Sequence, residues 1–241
     1  MHPHRGANSM FDDLPQNISS FGGDVDSIIR YIWWIILVWF VAAEGFLVYT
    51  LVRYRRREGR RAGWLPADTL KANAWVLAPV VLVLALDLSI EAKSHGVWHE
   101  VKGQVPQHDV LVRVTARQFA WTFTYAGPDG ALDTEDDFQT GGFLYVPANK
   151  VVRFQLESTD VLHSFWIPVL RLKQDAVPGR SIRGWFKATE PGTYEIACAE
   201  ICGGGHTSMR ARLVVLSEDD YARWAETMAQ QRHLIVEATG R

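Results

Sequence analysis

Two long apolar runs dominate the first hundred residues of the chain. Residues 31–52 read YIWWIILVWFVAAEGFLVYTLV and carry one charge, at Glu44. Residues 72–90 read ANAWVLAPVVLVLALDLSI and are interrupted by Asp87 near their end. About 20 apolar residues are enough to cross the hydrocarbon core of a bilayer as a helix. The pattern therefore predicts two transmembrane helices.

The charges around these runs predict their orientation. The short connection between them is strongly basic, through Arg53, Arg55, Arg56, Arg57, Arg60, Arg61 and Lys71. Short loops rich in Lys and Arg stay in the cytoplasm, so we expect both chain ends to lie outside it. A cleavable signal peptide is disfavoured, because the segment before the first run carries four aspartates and no small-residue cleavage site follows the run.

One carboxylate lies in each predicted span. Ionisable residues within a span face protein or water rather than lipid. Glu44 has two interpretations: a proton or polar contact with another subunit, or a buried, hydrogen-bonded structural role. Asp87 is close enough to the outer end of its run to be an interfacial residue.

From about residue 109 the pattern changes to short segments that alternate between apolar and polar side chains. Residues 109–125 alternate over most of their length, as one long half-buried strand would. Many short strands without intervening helices are typical of a sandwich or Greek-key barrel. After Ser217, residues 218–231 predict an N-capped terminal helix. Further strands are predicted at 142–146, 151–157, 181–188, 192–197 and 211–216, between turn signals at 127–130, 178–180 and 190–192.

The sequence thus predicts a mixed fold, with a two-helix transmembrane hairpin followed by an all-β domain and a short C-terminal helix. The formal net charge of −2 gives no basic field for a nucleic-acid partner. Two cysteines are too few for a disulfide-rich secreted scaffold. The predicted parts are an N-terminal tail (1–27), the hairpin (28–94), the β domain (95–216) and the terminal helix with its tail (217–241).

Candidate metal ligands cluster in residues 198–209. Cys198, Cys202, His206 and Met209 lie in this segment, and His163 lies upstream at the edge of another strand. Thiolate and thioether are soft ligands that favour copper, whereas zinc has little use for Met. The glycines between Cys202 and His206 let the backbone fold tightly and return the imidazole to the thiols. A disulfide beside a structural His and Met is the alternative, but the joint occurrence of all five favours a metal site.

The segment 198–209 resembles the CuA motif of cytochrome c oxidase subunit II. The two-span hairpin, residues 160–168 (DVLHSFWIP) and residues 172–180 (LKQDAVPGR) resemble the same family in order and spacing. The resemblance implies a cupredoxin-like barrel whose dinuclear copper centre is bridged by the two thiolates. It implies one histidine ligand for each copper, His163 and His206, with Met209 and the Glu200 carbonyl as weak axial ligands. The Glu200 carboxylate would also bind a magnesium ion shared with subunit I.

Two positions depart from the family pattern. Phe119 stands where relatives carry the Trp that takes up electrons, and Trp121 matches a second aromatic, so both are candidates for electron uptake. Packing within the strand is the alternative for each. Ala72 stands where many relatives carry a Glu at the mouth of a proton pathway, so proton uptake would need another residue.

Acidic residues suggest where an electron donor could dock. Asp160 and Asp175 match acidic positions of the family and are the expected docking residues. The loop at 127–142 is also acidic, but its spacing lacks an EF-hand pattern. Of a docking patch, a calcium loop and a solvated loop without function, we favour the last.

We therefore expect an electron-transfer subunit in a bacterial plasma membrane, with its β domain on the periplasmic side. It would accept electrons from cytochrome c or a small copper protein and pass them to haem in subunit I, where oxygen is reduced to water. Subunit I, subunit III and membrane lipid are the expected partners. No Cys-x-x-Cys-His occurs, so no haem is expected in this chain.

Three other functions are compatible with parts of this sequence pattern. The matching subunit of a copper-containing nitric oxide reductase would differ only in its catalytic partner. A membrane-tethered copper-binding or chaperone protein would have no oxidase partner at all. A quinol oxidase subunit is disfavoured, because that branch of the resemblance lacks the copper ligands.

Overall fold

The computed structural model of the chain describes residues 14–61, 63 and 68–239. Residues 1–13 of the predicted N-terminal tail and residues 240–241 of the predicted C-terminal tail lie outside this part. The chain divides into two compact units. One unit is helical and covers Asp24–His99, and the other contains the β domain together with the segment before the first helix.

The helical unit consists of α1 (Gly22–Arg53) and α2 (Leu70–Trp98). Both are long and apolar enough to cross a membrane, and within the described residues none of their most apolar stretch is buried. Thr69 caps α2, since its Oγ1 accepts a hydrogen bond from the Ala72 N–H (3.2 Å). Ala72, the departure from the family pattern, therefore lies in the first turn of α2. Glu44 is exposed, which is incompatible with a buried role within this chain.

Strands of the second unit form two sheets. Among the described residues, each sheet has five strands, in the orders β3-β2-β1-β5-β8 and β4-β10-β9-β6-β7. Parallel pairs (β1 with β5, and β10 with β4) lie among antiparallel ones, as crossing connections between two sheets require. This is a cupredoxin-like sandwich. The strands are β1 (Val110–Arg117), β2 (Ala120–Tyr125), β3 (Phe138–Gly141), β4 (Phe143–Pro147), β5 (Val151–Ser158), β6 (His163–Ile167), β7 (Leu172–Ala176), β8 (Ile182–Lys187), β9 (Gly192–Cys198) and β10 (Arg210–Leu216).

The prediction of one long strand over residues 109–125 is wrong, because the chain reverses at Gln118 and Phe119 to form the β1–β2 hairpin. Buried apolar side chains lie at even-numbered positions in β1 and at odd-numbered positions in β2, where they are Trp121, Phe123 and Tyr125. A single strand keeps one parity, so this change of parity was the local signal of a turn. The strand expected beside His163 is β6, whereas β3 and β7 were not predicted.

Aromatic rings join the two sheets in the core. Phe165 on β6 contacts Trp121 at a centroid distance of 5.4 Å, Phe154 at 5.8 Å and Phe123 at 6.4 Å. All four side chains are almost fully buried. Burying such a side chain contributes about 1.5–3 kcal/mol. The ring cluster therefore fixes β6, and with it His163, against the opposite sheet.

The segment before α1 belongs to the β unit. The Ile18 N–H donates to the Val169 carbonyl (3.0 Å), and the Ile18 carbonyl accepts from the Thr189 N–H (2.8 Å). Phe21 packs edge-on against Trp185, at a centroid distance of 5.4 Å. Residues 17–21 of the predicted N-terminal tail are thus hydrogen bonded and packed into the domain.

The C-terminal helix, α3 (Glu218–Thr239), packs on the sheets. Ser217 caps it, since its Oγ accepts from the Asp220 N–H (3.1 Å). Trp224 stacks on Tyr145 at 4.7 Å and contacts Tyr125 at 5.1 Å and Phe138 at 5.7 Å. One tryptophan thus holds the helix against strands β2, β3 and β4.

Candidate metal centre

Strand pairing brings the candidate ligands together at one end of the second sheet. His163 is the first residue of β6, and Cys198 is the last residue of β9. These strands are antiparallel, with Phe165 opposite Cys198, so His163 comes close to the Cys198 side chain. The loop from β9 to β10 carries Cys202 and His206 and returns to Met209 just before β10 begins.

Every predicted donor group lies near one of the two sulfurs. The two Sγ atoms are 3.8 Å apart. Cys198 Sγ is 3.9 Å from His163 Nδ1 and 3.2 Å from the Glu200 carbonyl oxygen. Cys202 Sγ is 3.7 Å from His206 Nδ1 and 3.8 Å from Met209 Sδ. Each sulfur therefore has one imidazole and one weaker donor beside it.

These atoms fit a metal centre rather than a disulfide. A disulfide places its sulfurs about 2.05 Å apart, whereas Cys198 and Cys202 are free thiols 3.8 Å apart. Metal–thiolate bonds are about 2.3 Å long, so one ion can contact both sulfurs at this separation. Two thiols, two imidazole nitrogens and a thioether form a soft donor set that suits copper.

Burial shapes the electrostatics of the centre. His163 and Met209 are fully buried, and both cysteines are buried. Burial and the neighbouring Cys198 raise the pKa of the Cys202 thiol to about 11. The Cys202 thiol therefore stays protonated at neutral pH unless a bound cation offsets the negative charge of the thiolate, which couples metal binding to proton release.

Asp160 supports the buried histidine. Its Oδ1 lies 2.8 Å from His163 Nε2 and accepts the Val161 N–H, and its Oδ2 accepts the Gln118 N–H (2.6 Å). Burial alone would raise the pKa of Asp160, but these hydrogen bonds outweigh it and lower the pKa to about 2. A carboxylate that binds the second nitrogen of a ligand histidine orients the ring. Both carboxylate oxygens of Asp160, a predicted docking residue, are thus hydrogen bonded within the domain.

Asp175 and Glu200 belong to a second polar network. The buried Ser164 hydroxyl donates to Asp175 Oδ1 (2.8 Å). Lys173 Nζ lies 3.0 Å from Asp175 and 3.3 Å from the Glu200 carboxylate. Hydrogen bonds from Ser164 and Lys173 lower the pKa of Asp175. The carboxylates of Asp175 and Glu200 remain partly exposed. The side chain of Asp175 is also more exposed than that of Asp160, so Asp175 is the more accessible of the two predicted docking residues.

The two aromatic candidates for electron uptake lie in different environments. Trp121 is 1% exposed, and its ring centroid is 6.2 Å from that of His163. Its indole N–H is buried without a hydrogen-bond partner among the described residues. Phe119 is 40% exposed and lies against the loop at Gly203 and Gly205. Of these two aromatic residues, Phe119 is the one that lies at the surface and next to the loop that carries Cys202 and His206.

Gln118 is a residue of the site that its local sequence pattern does not indicate. Its side-chain amide donates to the Cys202 carbonyl, a partner 84 residues away. No local signal could have indicated this contact, because it depends on how the two sheets pack.

Carboxylates of the acidic loop at 127–142 are paired within the β domain. Asp133 forms an ion pair with Arg113 (2.7 Å), and Asp136 accepts a hydrogen bond from the Asp129 N–H (3.2 Å).

Comparisons with known proteins point to one family. The model of "Cytochrome C oxidase subunit II, periplasmic domain" matches residues 110–217. The "Alternative cytochrome c oxidase subunit 2" of Bradyrhizobium diazoefficiens is 32% identical over 231 residues, covering 87% of this chain and 82% of the relative. The "Cytochrome c oxidase subunit 2" of Thermostichus vulcanus is 30% identical over 263 residues, covering 88% and 77%.

A solved structure gives a partial match. The crystal structure of the periplasmic domain of cytochrome oxidase subunit II from Bradyrhizobium japonicum shares 31% sequence identity with the chain. The match covers 53% of this chain and 99% of that one, with a TM-score of 0.48.

Proposed function

The chain belongs to the cytochrome c oxidase subunit II family, and from this premise we propose that its buried thiols and imidazoles hold the copper centre through which the oxidase takes up electrons. As a member of this family it is a copper-binding subunit of a haem–copper oxidoreductase, and the other oxidase subunits are its partners. The observation that carries the proposal is the 3.8 Å separation of the two free cysteine sulfurs, each with an imidazole within 4 Å.

The proposed ligand set divides into strong and weak donors. Cys198 and Cys202 would bridge two copper ions, and His163 and His206 would bind one each. Met209 and the Glu200 carbonyl would be the weak axial donors. When bound, the copper pair accepts and releases one electron at a time. The buried protein shell excludes water and holds the donors in place, so little rearrangement accompanies the change of charge.

An electron donor would dock over the exposed face of the ligand loop. Ile201 is 87% exposed between two residues of the proposed site, and Phe119 and Leu162 are each about 40% exposed. An apolar patch near acidic Asp175 suits a donor such as cytochrome c or a small copper protein, because opposite charge speeds encounter. We propose Phe119 as the surface contact for electron uptake, because it is 40% exposed whereas Trp121 is buried.

Further parts of the proposal concern the assembled oxidase. The Glu200 carboxylate would bind magnesium together with subunit I. Lys173 Nζ lies 3.3 Å from Glu200 Oε1, so Lys173 would have to release the carboxylate or share it with the metal. No haem would be bound by this chain. Subunit III would be an additional partner. The basic connection after α1 supports a cytoplasmic hairpin loop, with the β domain and both chain ends on the periplasmic side.

Spectroscopy of the full chain tests the copper centre. The chain is purified in detergent, reduced, loaded with copper, and examined by EPR and visible absorption. We expect a purple protein whose hyperfine pattern shows one electron shared by two copper nuclei. A mononuclear copper spectrum, or a failure to bind copper, would contradict the proposed ligand set.

Co-purification tests the assembly. We expect a large haem-bearing subunit to copurify with the chain from native membranes and to reduce oxygen with cytochrome c as donor. Isolation of the copper-loaded chain without any haem protein would instead favour a copper-handling role.

A further inference from the structure

The turn between β1 and β2 contacts both segments that carry the proposed ligands. The Gln118 backbone N–H donates to Asp160, which in turn binds His163 Nε2. The side-chain amide of Gln118 donates to the Cys202 carbonyl. Asp160 and His163 lie at the start of β6, whereas Cys202 lies in the loop after β9. One residue of the first sheet is therefore hydrogen bonded to two separate parts of the site on the second sheet.

This attachment matters most for the loop of Cys202 and His206. Cys198 is held beside β6 by strand pairing and by the Ala199 N–H bond to the Ser164 carbonyl (3.0 Å). Cys202 lies beyond the end of β9, where strand pairing no longer determines its position. The Gln118 amide supplies a hydrogen bond from the opposite sheet at this point.

Close packing of Gly203 and Gly205 also connects the loop to the β1–β2 turn. A Cβ built on Gly203 would lie 2.8 Å from Gln118 Nε2, and one on Gly205 would lie 2.5 Å from ring carbons of Phe119. A Cβ on Gly204 would meet nothing within 4 Å. The loop thus lies flush against the turn at positions 203 and 205, which explains glycine there by close approach rather than by tight folding alone.

We propose that Gln118 is a positioning residue of the copper centre, which holds the loop of Cys202 and His206 at a fixed distance from His163. The inference rests on the proposed function, since the ligands that Gln118 positions are those assigned above. Gln118 itself touches no proposed donor atom and acts through the Cys202 carbonyl and through Asp160. Partners that orient metal ligands in this way typically change metal affinity 10- to 100-fold when they are removed.

Replacing the amide tests the proposal. In Gln118→Met the length of the side chain is kept, but the Cys202 carbonyl loses its donor and the loop gains freedom. We expect the detergent-purified full chain still to bind copper, because all ligands are present. Copper should be lost to a chelator about tenfold faster than in the wild type, and the EPR hyperfine splitting should change. Gln139→Met, at an exposed position of β3, is the matched control and should behave as the wild type.

Two glycines provide an independent test that leaves Gln118 intact. Gly205 has φ −94°, which alanine adopts without strain, so Gly205→Ala acts through the contact with Phe119. We expect it to speed copper loss and alter the EPR spectrum in the same way. Gly204→Ala adds the same methyl group in open space and should change neither. If Gln118→Met fails to fold, as judged by near-UV circular dichroism of the unloaded chain, the glycine pair decides.

The outcomes separate this inference from the proposed function. Wild-type protein without a dinuclear copper spectrum would overturn both. A normal wild-type spectrum, with Gln118→Met and Gly205→Ala each retaining copper and hyperfine splitting like their controls, would overturn the positioning role alone.

Discussion

At the residue scale, the proposed site depends on the chemistry of a few donor atoms held without solvent. His163 and Met209 are fully buried, and Asp160 orients the imidazole ring through its hydrogen bond with His163 Nε2. The cysteines remain unbonded to each other at 3.8 Å, which leaves both sulfurs available to a metal. Single substitutions at these donors should therefore change the metal spectrum before they change the fold.

Cys202→Ser replaces a soft thiolate by a hard hydroxyl that stays protonated. We expect the shared-electron copper spectrum to disappear while far-UV circular dichroism shows an intact β domain, because the side chains are nearly equal in size. Retention of the wild-type visible and near-infrared bands would show that Cys202 is not a bridging ligand.

Met209→Leu removes a weak thioether donor but keeps a buried apolar side chain of similar volume. Copper should remain bound, with a higher reduction potential, because the oxidised centre loses an electron donor. Onward transfer from the centre to haem should slow, because a higher potential at the centre lowers the driving force for that step. A redox titration of the purified chain measures the potential. Met228→Leu, on α3, is the matched control, and equal potentials in all three proteins would exclude Met209 as an axial ligand.

At the scale of elements, contacts between sheets decide where the ligands lie. The β1–β2 hairpin reaches across to the loop after β9, and the ring of Phe165 joins β6 to the first sheet. At the other side of the domain, α3 covers aromatic residues of β2, β3 and β4 through Trp224. The helix thus contributes to the stability of the domain without touching any proposed ligand.

Trp224→Ala should lower the free energy of unfolding of the β domain by about 3 kcal/mol, the low end of the range for such truncations, because the ring is half-buried. Thermal unfolding of the full chain in detergent measures the change, and the copper spectrum of the folded protein should not alter. Leu234→Ala on the same helix removes a side chain that is 64% exposed and should leave the midpoint almost unchanged. Equal midpoints for the two variants would show that α3 does not stabilise the domain.

At the scale of the whole molecule, a helical unit that exposes its apolar surface is combined with a β unit that buries its own. The exposed faces of α1 and α2 require lipid or other oxidase subunits, since no water-soluble surface leaves so much apolar area uncovered. The basic residues between the helices predict the direction of the unit in the membrane.

Cysteine labelling tests that direction. With Cys198 and Cys202 replaced by Ser, Arg55→Cys should resist a membrane-impermeant maleimide in spheroplasts, whereas Asp129→Cys should react. Both should react once the membrane is permeabilised. Labelling of Arg55→Cys in intact spheroplasts would mean that the hairpin loop faces outward and that the proposed orientation is inverted.

Local sequence patterns were enough to predict the two apolar helices, the capped terminal helix and the group of soft donors at 198–209. These features are local: an apolar run of sufficient length, a Ser before an acidic turn, and four ligand side chains (two Cys, one His and one Met) within one short segment. Most of the strands were also predictable from alternation.

The strands β3 and β7, the contacts of the turn at Gln118 and Phe119, and the hydrogen bonds of Asp160 with His163 and Gln118 became evident only in the folded domain. The bond from Gln118 to Cys202 spans 84 residues, and the contact of Phe119 with Gly205 depends on the same packing of one sheet on the other. Such contacts arise when the buried faces of both sheets pack together, and no pattern within a short stretch of sequence records them.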